Sequence, residues 1–252
     1  MTWVKTAVWP GATVGARKGD LAARHAQQLL EEIVARLALF AGLARKHLAS
    51  ITRGAQLVRV SRGAMLARRG EPLAGVFAVA EGTLKLALQR ADGAERVVRF
   101  VSPGETFGEA AALLGRPSPV NAMALTDSVV AVMAAAPIRA LIGRDAGFAQ
   151  RVVALLAARM LDLLTEVEAS ELRPASERLA AYLLGLAEPR GDGGRLTARL
   201  PATKTLVAAR LGMKKETLSR LLHRLAERRL IEVSRRDISI LDRPGLSEVA
   251  GR

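Results

Sequence analysis

KTLVAARLGMKKETLSRLLHRLAERRL, residues 204–230, holds two apolar periods separated by a single glycine. Val207, Ala208, Leu211 and Met213 make the packing face of one predicted helix, and Leu218, Leu221 and Leu222 make that of the next. Ala208 is small enough to let the helices approach, and Gly212 supplies the backbone freedom of the tight turn between them. This is helix-turn-helix spacing. Lys214, Lys215, Glu216, Ser219 and Arg220 then face outward on the N-terminal half of the second helix, the part that such a motif lays in a DNA major groove. The following LIEVSRRDISILDR reads as two strands around SRRD, a wing whose Arg235 and Arg236 reach phosphates.

The outward residues sort by chemistry. The guanidinium fork of Arg220 suits guanine O6 and N7, Glu216 accepts from a cytosine amine, and Ser219 meets a base edge or a thymine methyl. Lys215 suits a base or a phosphate. Lys214 and Arg210 suit phosphates, and Thr203 is a candidate cap whose neighbourhood meets a phosphate at the helix N-terminus. His223, late on the same helix, reads as a surface or domain-contact histidine. The competing reading is a helical hairpin with a solvated charged face. Against it stand Ala208, Gly212, the wing and the charge: from Glu171 onward there are 17 Lys plus Arg against 10 Asp plus Glu, half of the net +14. An arginine-rich composition from GC-rich DNA would raise the charge as well, so the surplus supports a polyanionic partner only together with the motif.

Upstream the texture differs. Between 54 and 134, short β-rich runs (LVRV 57–60, GVFAV 75–79, TLKLAL 83–88, RVVRFV 96–101, SVVAVM 128–133) alternate with turn residues. Gly82, Gly93, Gly104 and Gly115 recur every eleven residues, which suits successive strand-and-turn units of an antiparallel roll. ADG at 91–93 predicts a tight hairpin. Beyond Pro137 the pattern is helical, and Ala149, Val153, Leu156, Met160, Leu163 and Val167 follow one another at intervals of four and three, the a/d seam of a two-stranded coiled coil. A helix packed on its own domain gives a similar pattern. Polar Arg151, Arg159, Asp162 and Glu166 on the other faces, with Leu155 and Leu164 widening the stripe, favour a dimer helix, which Arg173 and Pro174 end. ERLAAYLLGLAE is then helical and EPRGDGGR (188–195) a glycine-rich turn.

The expected architecture is α+β: an N-terminal tail and helix (1–33, the first twenty residues irregular), a β-roll sensor (34–138), a dimerisation helix region (139–173) and a winged helix-turn-helix (174–252). Half the residues are apolar, enough for packed cores, yet runs such as VVAVMAAAP (129–137) fall short of the roughly 20 residues of a membrane span. With no signal-peptide core at the N-terminus, no membrane association is expected and the cytoplasm is the expected compartment. The absence of cysteine excludes disulfides, thiolate metal sites and cysteine-held iron-sulfur clusters. No catalytic triad, glycine-rich phosphate loop or metal-ligand spacing is visible. The one acidic pair in a promising turn is Glu105 with Glu109, so an enzyme is not expected.

A roll, a long helix and a winged helix-turn-helix in this order resemble the CRP/FNR family of bacterial transcription regulators over residues 37–243. The resemblance is carried by LALFAGLARKHLASI, GEPLAGVFAVAEGTLKLAL, SPGETFGEA and KKETLSRLLHRL. It implies a homodimer on a palindromic double-stranded DNA operator, RNA polymerase as a partner, and a signal in the roll that shifts two long helices against each other. ETLSR (216–220) matches the FNR branch, whose members read TTGAT…ATCAA palindromes; Lys215 departs from that pattern and leaves the outermost base open. RRDISILDR and RLLHRL look most like the Dnr group, which responds to nitric oxide.

In the cyclic-AMP members of such a family the glutamate of the GE turn holds the ribose, and an arginine with a following serine or threonine holds the phosphate. Here Gly108 and Glu109 match the turn, but Ser118 and Pro119 stand where the phosphate ligands belong, Arg116 comes two residues early, and Leu163 and Leu164 stand at the base contacts. Burying a phosphate without its cation is costly, so cyclic AMP is not expected. Glu109 is then expected to hold backbone amides of the turn after Gly108. Heme, another small ligand, or no ligand remain. For heme the axial candidates are His25 and His47. A ligand-binding module with no gene-regulatory output is the competing function, and the recognition helix and wing argue against it.

Overall fold

The structure is a computed structural model that describes residues 12–13, 20–89, 95–190 and 195–251, with the side chains at 12–13, 20–26, 166, 169–172 and 195 outside the described residues. The first part of the chain runs β1 (Ala12–Thr13), α1 (Asp20–Arg36), α2 (Arg45–Thr52), β2 (Gln56–Val60), β3 (Met65–Ala67), β4 (Val76–Glu81), β5 (Leu84–Gln89), β6 (Glu95–Val101), β7 (Thr106–Phe107), α3 (Glu109–Leu114), β8 (Asn121–Ala124), β9 (Ser128–Met133), α4 (Ala135–Ile142) and α5 (Ala146–Leu172). It continues with α6 (Ala175–Gly185), β10 (Ala187–Arg190), β11 (Arg195–Arg199), α7 (Lys204–Arg210), α8 (Lys215–Glu227), β12 (Ile231–Ser234), β13 (Asp237–Ile240) and α9 (Arg243–Val249). Contacts divide it into two compact units, residues 1–88 with 99–159 and residues 89–98 with 160–252.

The roll is two antiparallel sheets, ordered β1-β2-β9-β4-β7 and β3-β8-β5-β6. Alternation along the strands sends Val58, Val60, Leu66, Phe77, Val79, Leu84, Val101 and Val130 into one core, where Phe77 stacks on Phe107 at 4.6 Å. A second core joins the outer face of the first sheet to helices: Leu30 and Val34 of α1, Ile51 of α2, Ile138 of α4, and Phe148 and Val152 of α5 bury against Val76 and Met133. Gly82, Gly104 and Gly115 occupy positive φ at turns, as their spacing predicts. The ADG hairpin and Gly93 lie outside the described residues. The irregular N-terminal reading is corrected at one point, since Ala12 and Thr13 pair with Val60 and Arg59.

In the other unit α6, α7, α8 and α9 bury Leu179, Leu183, Val207, Ala208, Leu218, Leu222 and Leu246 against a sheet ordered β10-β11-β13-β12. The glycine-rich stretch read as a turn is flanked by paired strands, Ala187 opposite Ala198 and Arg190 opposite Arg195. Helix α5 ends at Leu172, and Pro174 is the N-cap position of α6, because proline tolerates a helix start and disfavours the helix before it. Of the seam residues, Leu156 is half-buried on the second core, whereas Val153, Met160, Leu163 and Val167 are more than half exposed.

Candidate nucleic-acid interface and sensor site

Helix α7 ends at Arg210 with Leu211 as its C-cap, Gly212 takes φ +64°, and the amide of Met213 donates back to the carbonyl of Ala208 at 3.0 Å, closing the turn. Ala208 is 1% exposed, which is what brings the two helices together. Arg178 of α6 fastens the turn from outside: its Nε donates to the Leu211 carbonyl at 3.1 Å and its Nη1 to the Arg173 carbonyl at 2.6 Å. Leu218, Leu222 and Leu225 then bury one face of α8. Lys214 at its N-cap position and Lys215, Glu216, Ser219 and Arg220 beyond it are all exposed. Two lysines at the positive end of a helix dipole oppose local stability, which Glu216 in the first turn offsets only in part. Such a local conflict is expected where a surface is kept for an anionic partner.

The wing forms as read: Ser234 pairs with Asp237 and the two-residue turn between them is Arg235–Arg236. Arg235 holds φ +54°, a conformation that glycine or asparagine adopts at lower cost. Two further arginines have contacts within the fold, and Thr203 differs from its sequence reading. The Nε and Nη2 of Arg236 donate to the Leu200 carbonyl at 3.1 and 2.9 Å, so this guanidinium also ties the wing to the loop before α7. Thr203 is the N-cap residue of α7, but its side chain makes no capping hydrogen bond. Arg210 is half-buried and its charge acts on Tyr182, whose phenol burial pushes up to about 12 while Arg210 pulls the other way. His223 is exposed and 3.2 Å from Glu227 one turn on.

In the roll, Gly108 caps α3 with φ +84°, placing Glu109 at the first helical position with its side chain 3% exposed. The carboxylate does not hold turn amides; that part is taken by Glu105, whose Oε2 accepts from the Ser102 amide at 2.7 Å. Glu109 Oε2 instead pairs with Nη1 of Arg159 on α5. The other arm of Arg159, Nη2, donates to the Thr106 carbonyl at 2.7 Å and to its hydroxyl at 3.2 Å, and Arg99 Nη2 donates to the same carbonyl. Glu109 Oε1 is buried without a hydrogen-bond partner. Arg159, read from the sequence as part of a polar outer face, is thus the residue that completes this site, its side chain only 22% exposed.

The remaining sensor candidates do not converge on Glu109. Ser118 is buried, and its hydroxyl donates to the Val120 carbonyl at 2.7 Å. Arg116 is exposed and lines a cleft of about 180 Å³ with Leu73, Ala111, Ala112, Pro117 and Ala135 among others, a lining that includes neither Glu109 nor Ser118. Leu163 and Leu164 are exposed on α5. The phosphate site that a cyclic nucleotide needs is therefore not assembled around Ser118 by the described residues. Of the heme-ligand candidates, His47 lies half-buried on α2 with Nδ1 3.6 Å from Asp145 Oδ2 and does not line this cleft, and the His25 side chain lies outside the described residues.

Comparison with known proteins agrees with this geometry in both units. A family model described as the cyclic nucleotide-binding domain matches residues 57–145, and one described as the Crp-like helix-turn-helix domain matches residues 177–249. The chain is 30% identical over 200 residues to the transcriptional regulatory protein btr of Bordetella pertussis, covering 77% of this chain and 81% of that protein. It is 25% identical over 223 residues to a CRP-like cAMP-activated global transcriptional regulator of Mycobacterium tuberculosis, covering 88% of this chain and 100% of the relative. Among solved structures, a CRP/FNR-family transcriptional regulator of Thermus thermophilus is similar with a TM-score of 0.61 at 25% identity, over 78% of this chain and 99% of that one. FixK2 of Bradyrhizobium japonicum, with a TM-score of 0.69 at 22% identity over 77% of this chain and 96% of its own, shares the fold.

Proposed function

Since this chain belongs to the CRP/FNR family of DNA-binding transcription regulators, we propose that two copies joined along α5 read a TTGAT-type palindrome, each laying α8 in a major groove. The observation that carries the reading is the exposed row Lys215, Glu216, Ser219 and Arg220 opposite the buried Leu218, Leu222 and Leu225. Arg220, Glu216 and Ser219 read bases, Lys215 a base or a phosphate, and Lys214 and Arg235 phosphates; Arg236, Arg210 and Thr203 serve the backbone contact less directly, given their contacts within the fold. The exposed Val153, Met160, Leu163, Leu164 and Val167 supply the face by which one copy meets the other. A dimer that reads both half-sites holds its two recognition helices about one DNA turn, roughly 34 Å, apart. RNA polymerase is the partner proposed for the output.

At the signal end we read the Arg159–Glu109–Thr106 cluster as the contact whose making or breaking biases α5. A signal acts only through its differential affinity for the two arrangements. The test of the DNA reading is a footprint on a TTGAT…ATCAA duplex with Arg220→Ala and Lys214→Ala beside the wild type. Arg220→Ala loses about 1–3 kcal/mol and relaxes one base position, whereas Lys214→Ala weakens specific and random DNA alike. Equal losses on both duplexes for Arg220→Ala overturn the base-reading role. Adding heme, with and without nitric oxide, tests the signal separately: a Soret band whose position responds to nitric oxide supports the nitric-oxide reading that the Dnr likeness suggests, and no band with operator binding intact removes it.

A further inference from the structure

The roll carries a second surface that DNA reading does not use. Where the turn after β3 meets the segment after α3, the backbone is clasped twice: the Gly70 amide donates to the Ser118 carbonyl at 2.8 Å and the Ser118 amide to the Glu71 carbonyl at 2.9 Å. Arg68 and Arg69 enter this clasp and Arg116 leaves α3 towards it; Arg69 and Arg116 are exposed. Beside it lies the cleft of about 180 Å³ walled by Leu73, Ala111, Ala112, Pro117 and Ala135. Arg139 of α4, also exposed, donates from Nη1 to the carbonyl of Ala112 on the cleft wall at 2.9 Å. Arg116 thus lines the cleft and Arg139 reaches its wall, Arg68 and Arg69 directly precede the clasp in the chain, and Glu71 is the carboxylate that the clasp itself carries. At the end of α3 stands Leu114, 71% exposed, the most exposed of the large apolar side chains described.

Size and charge together select the occupant. The cleft is smaller than the roughly 300–1,000 Å³ of small-molecule pockets, so it suits a single apolar side chain rather than a cofactor. A lone exposed leucine is ordinary on a protein surface; one beside an apolar cleft bordered by arginines offers a hydrophobic contact with a polar, cationic rim, the anatomy of a protein docking patch. We infer that this face of the roll binds an acidic protein segment that inserts one apolar side chain into the cleft. Charge complementarity steers such a segment and fixes its register, while the apolar anchor holds it.

The test uses the full chain and three labelled peptides of about twelve residues read by fluorescence anisotropy: acidic flanks around one phenylalanine, the same flanks around serine, and lysine flanks around phenylalanine. The first is expected to bind at least about tenfold more tightly than either other. Arg116→Glu should lower its affinity about tenfold and raise that of the lysine-flanked peptide, and Leu114→Ser should weaken the first peptide while leaving the serine peptide unchanged. The substituted positions are exposed, and circular dichroism confirms that each variant is folded. The inference falls if the three peptides bind alike, or if Arg116→Glu leaves their affinities unchanged. It falls also if Arg116→Glu and Arg139→Glu instead weaken random duplex DNA, which would make the patch a nucleic-acid surface. Operator footprinting of the same variants keeps this outcome separate from the reading of α8.

Discussion

Replacing Arg159 with leucine removes the cation from Glu109 while keeping most of the side chain's bulk, and the size of the loss can be worked from the site. The Thr106 carbonyl keeps Arg99 as a donor, so it is not orphaned. Glu109 is: its side chain is 3% exposed, Oε1 already lacks a partner, and Oε2 loses Arg159. Breaking a buried pair by removing one member costs about 3–5 kcal/mol, because the other charge is left without compensation. The expected loss is therefore about 3–5 kcal/mol. At about 2–4 °C per kcal/mol for a chain of this size, the thermal midpoint falls by roughly 6–20 °C, read by circular dichroism or calorimetry. Glu109→Gln in the leucine background removes the stranded charge and should recover more than half of the loss. Arg159→Lys should not rescue fully, since a point ammonium cannot span Glu109 and Thr106 as the two arms of the guanidinium do. A loss below about 1 kcal/mol, the range of exposed pairs, or a double variant no more stable than Arg159→Leu, would refute the reasoning.

Three further outcomes follow from other parts of the fold. Arg235→Gly relieves the positive φ at the wing tip and should raise the urea midpoint by the equivalent of up to about 1 kcal/mol. The same change should weaken operator binding and lower its salt slope by about one, measured by electrophoretic shift at several salt concentrations. Tyr182 is the single tyrosine, so its ionisation can be followed alone by tyrosinate absorbance, and its phenol is pushed up from 10.0 to about 12 by burial. The folded state keeps a proton that the unfolded chain releases. The corresponding stability is full below pH 10 and is lost as pH rises through about 12, so wild-type urea midpoints should fall across that window more steeply than those of Tyr182→Phe. Met160→Glu places a charge on the exposed apolar face of α5; sedimentation should show a monomer, and operator affinity should fall while random-DNA binding changes little.

What the sequence disclosed and what it withheld divide along contact distance. The helix-turn-helix is written locally: Ala208, Gly212 and Met213 close the turn among themselves, and exposure along α8 follows directly from its helical period. The wing is equally local, a two-residue turn between paired strands. Strands β3, β7 and β8 escaped notice because two to four residues cannot display a period. The partner of Glu109 escaped for a different reason. Arg159 lies 50 residues away, and one arginine on a helix has the same pattern whether it faces water or a carboxylate. The usable signal was at the other end of the pair: Glu109 is followed by AAALL, and an acid set among residues bound for a core is rarely buried without a counterion. That argument demands a cation without naming it, and polar Arg99, Arg116, Arg139, Arg151 and Arg159 all qualify by type. Only the fold, by packing α5 along the roll so that its Val152 enters the helical core and its Arg159 reaches Thr106, selects one of them. Periodicity thus discloses which face of a helix is apolar, but a single long-range charge pair has to be read from the three-dimensional arrangement, and in this protein that pair sits in the roll, against the helix proposed to carry the signal.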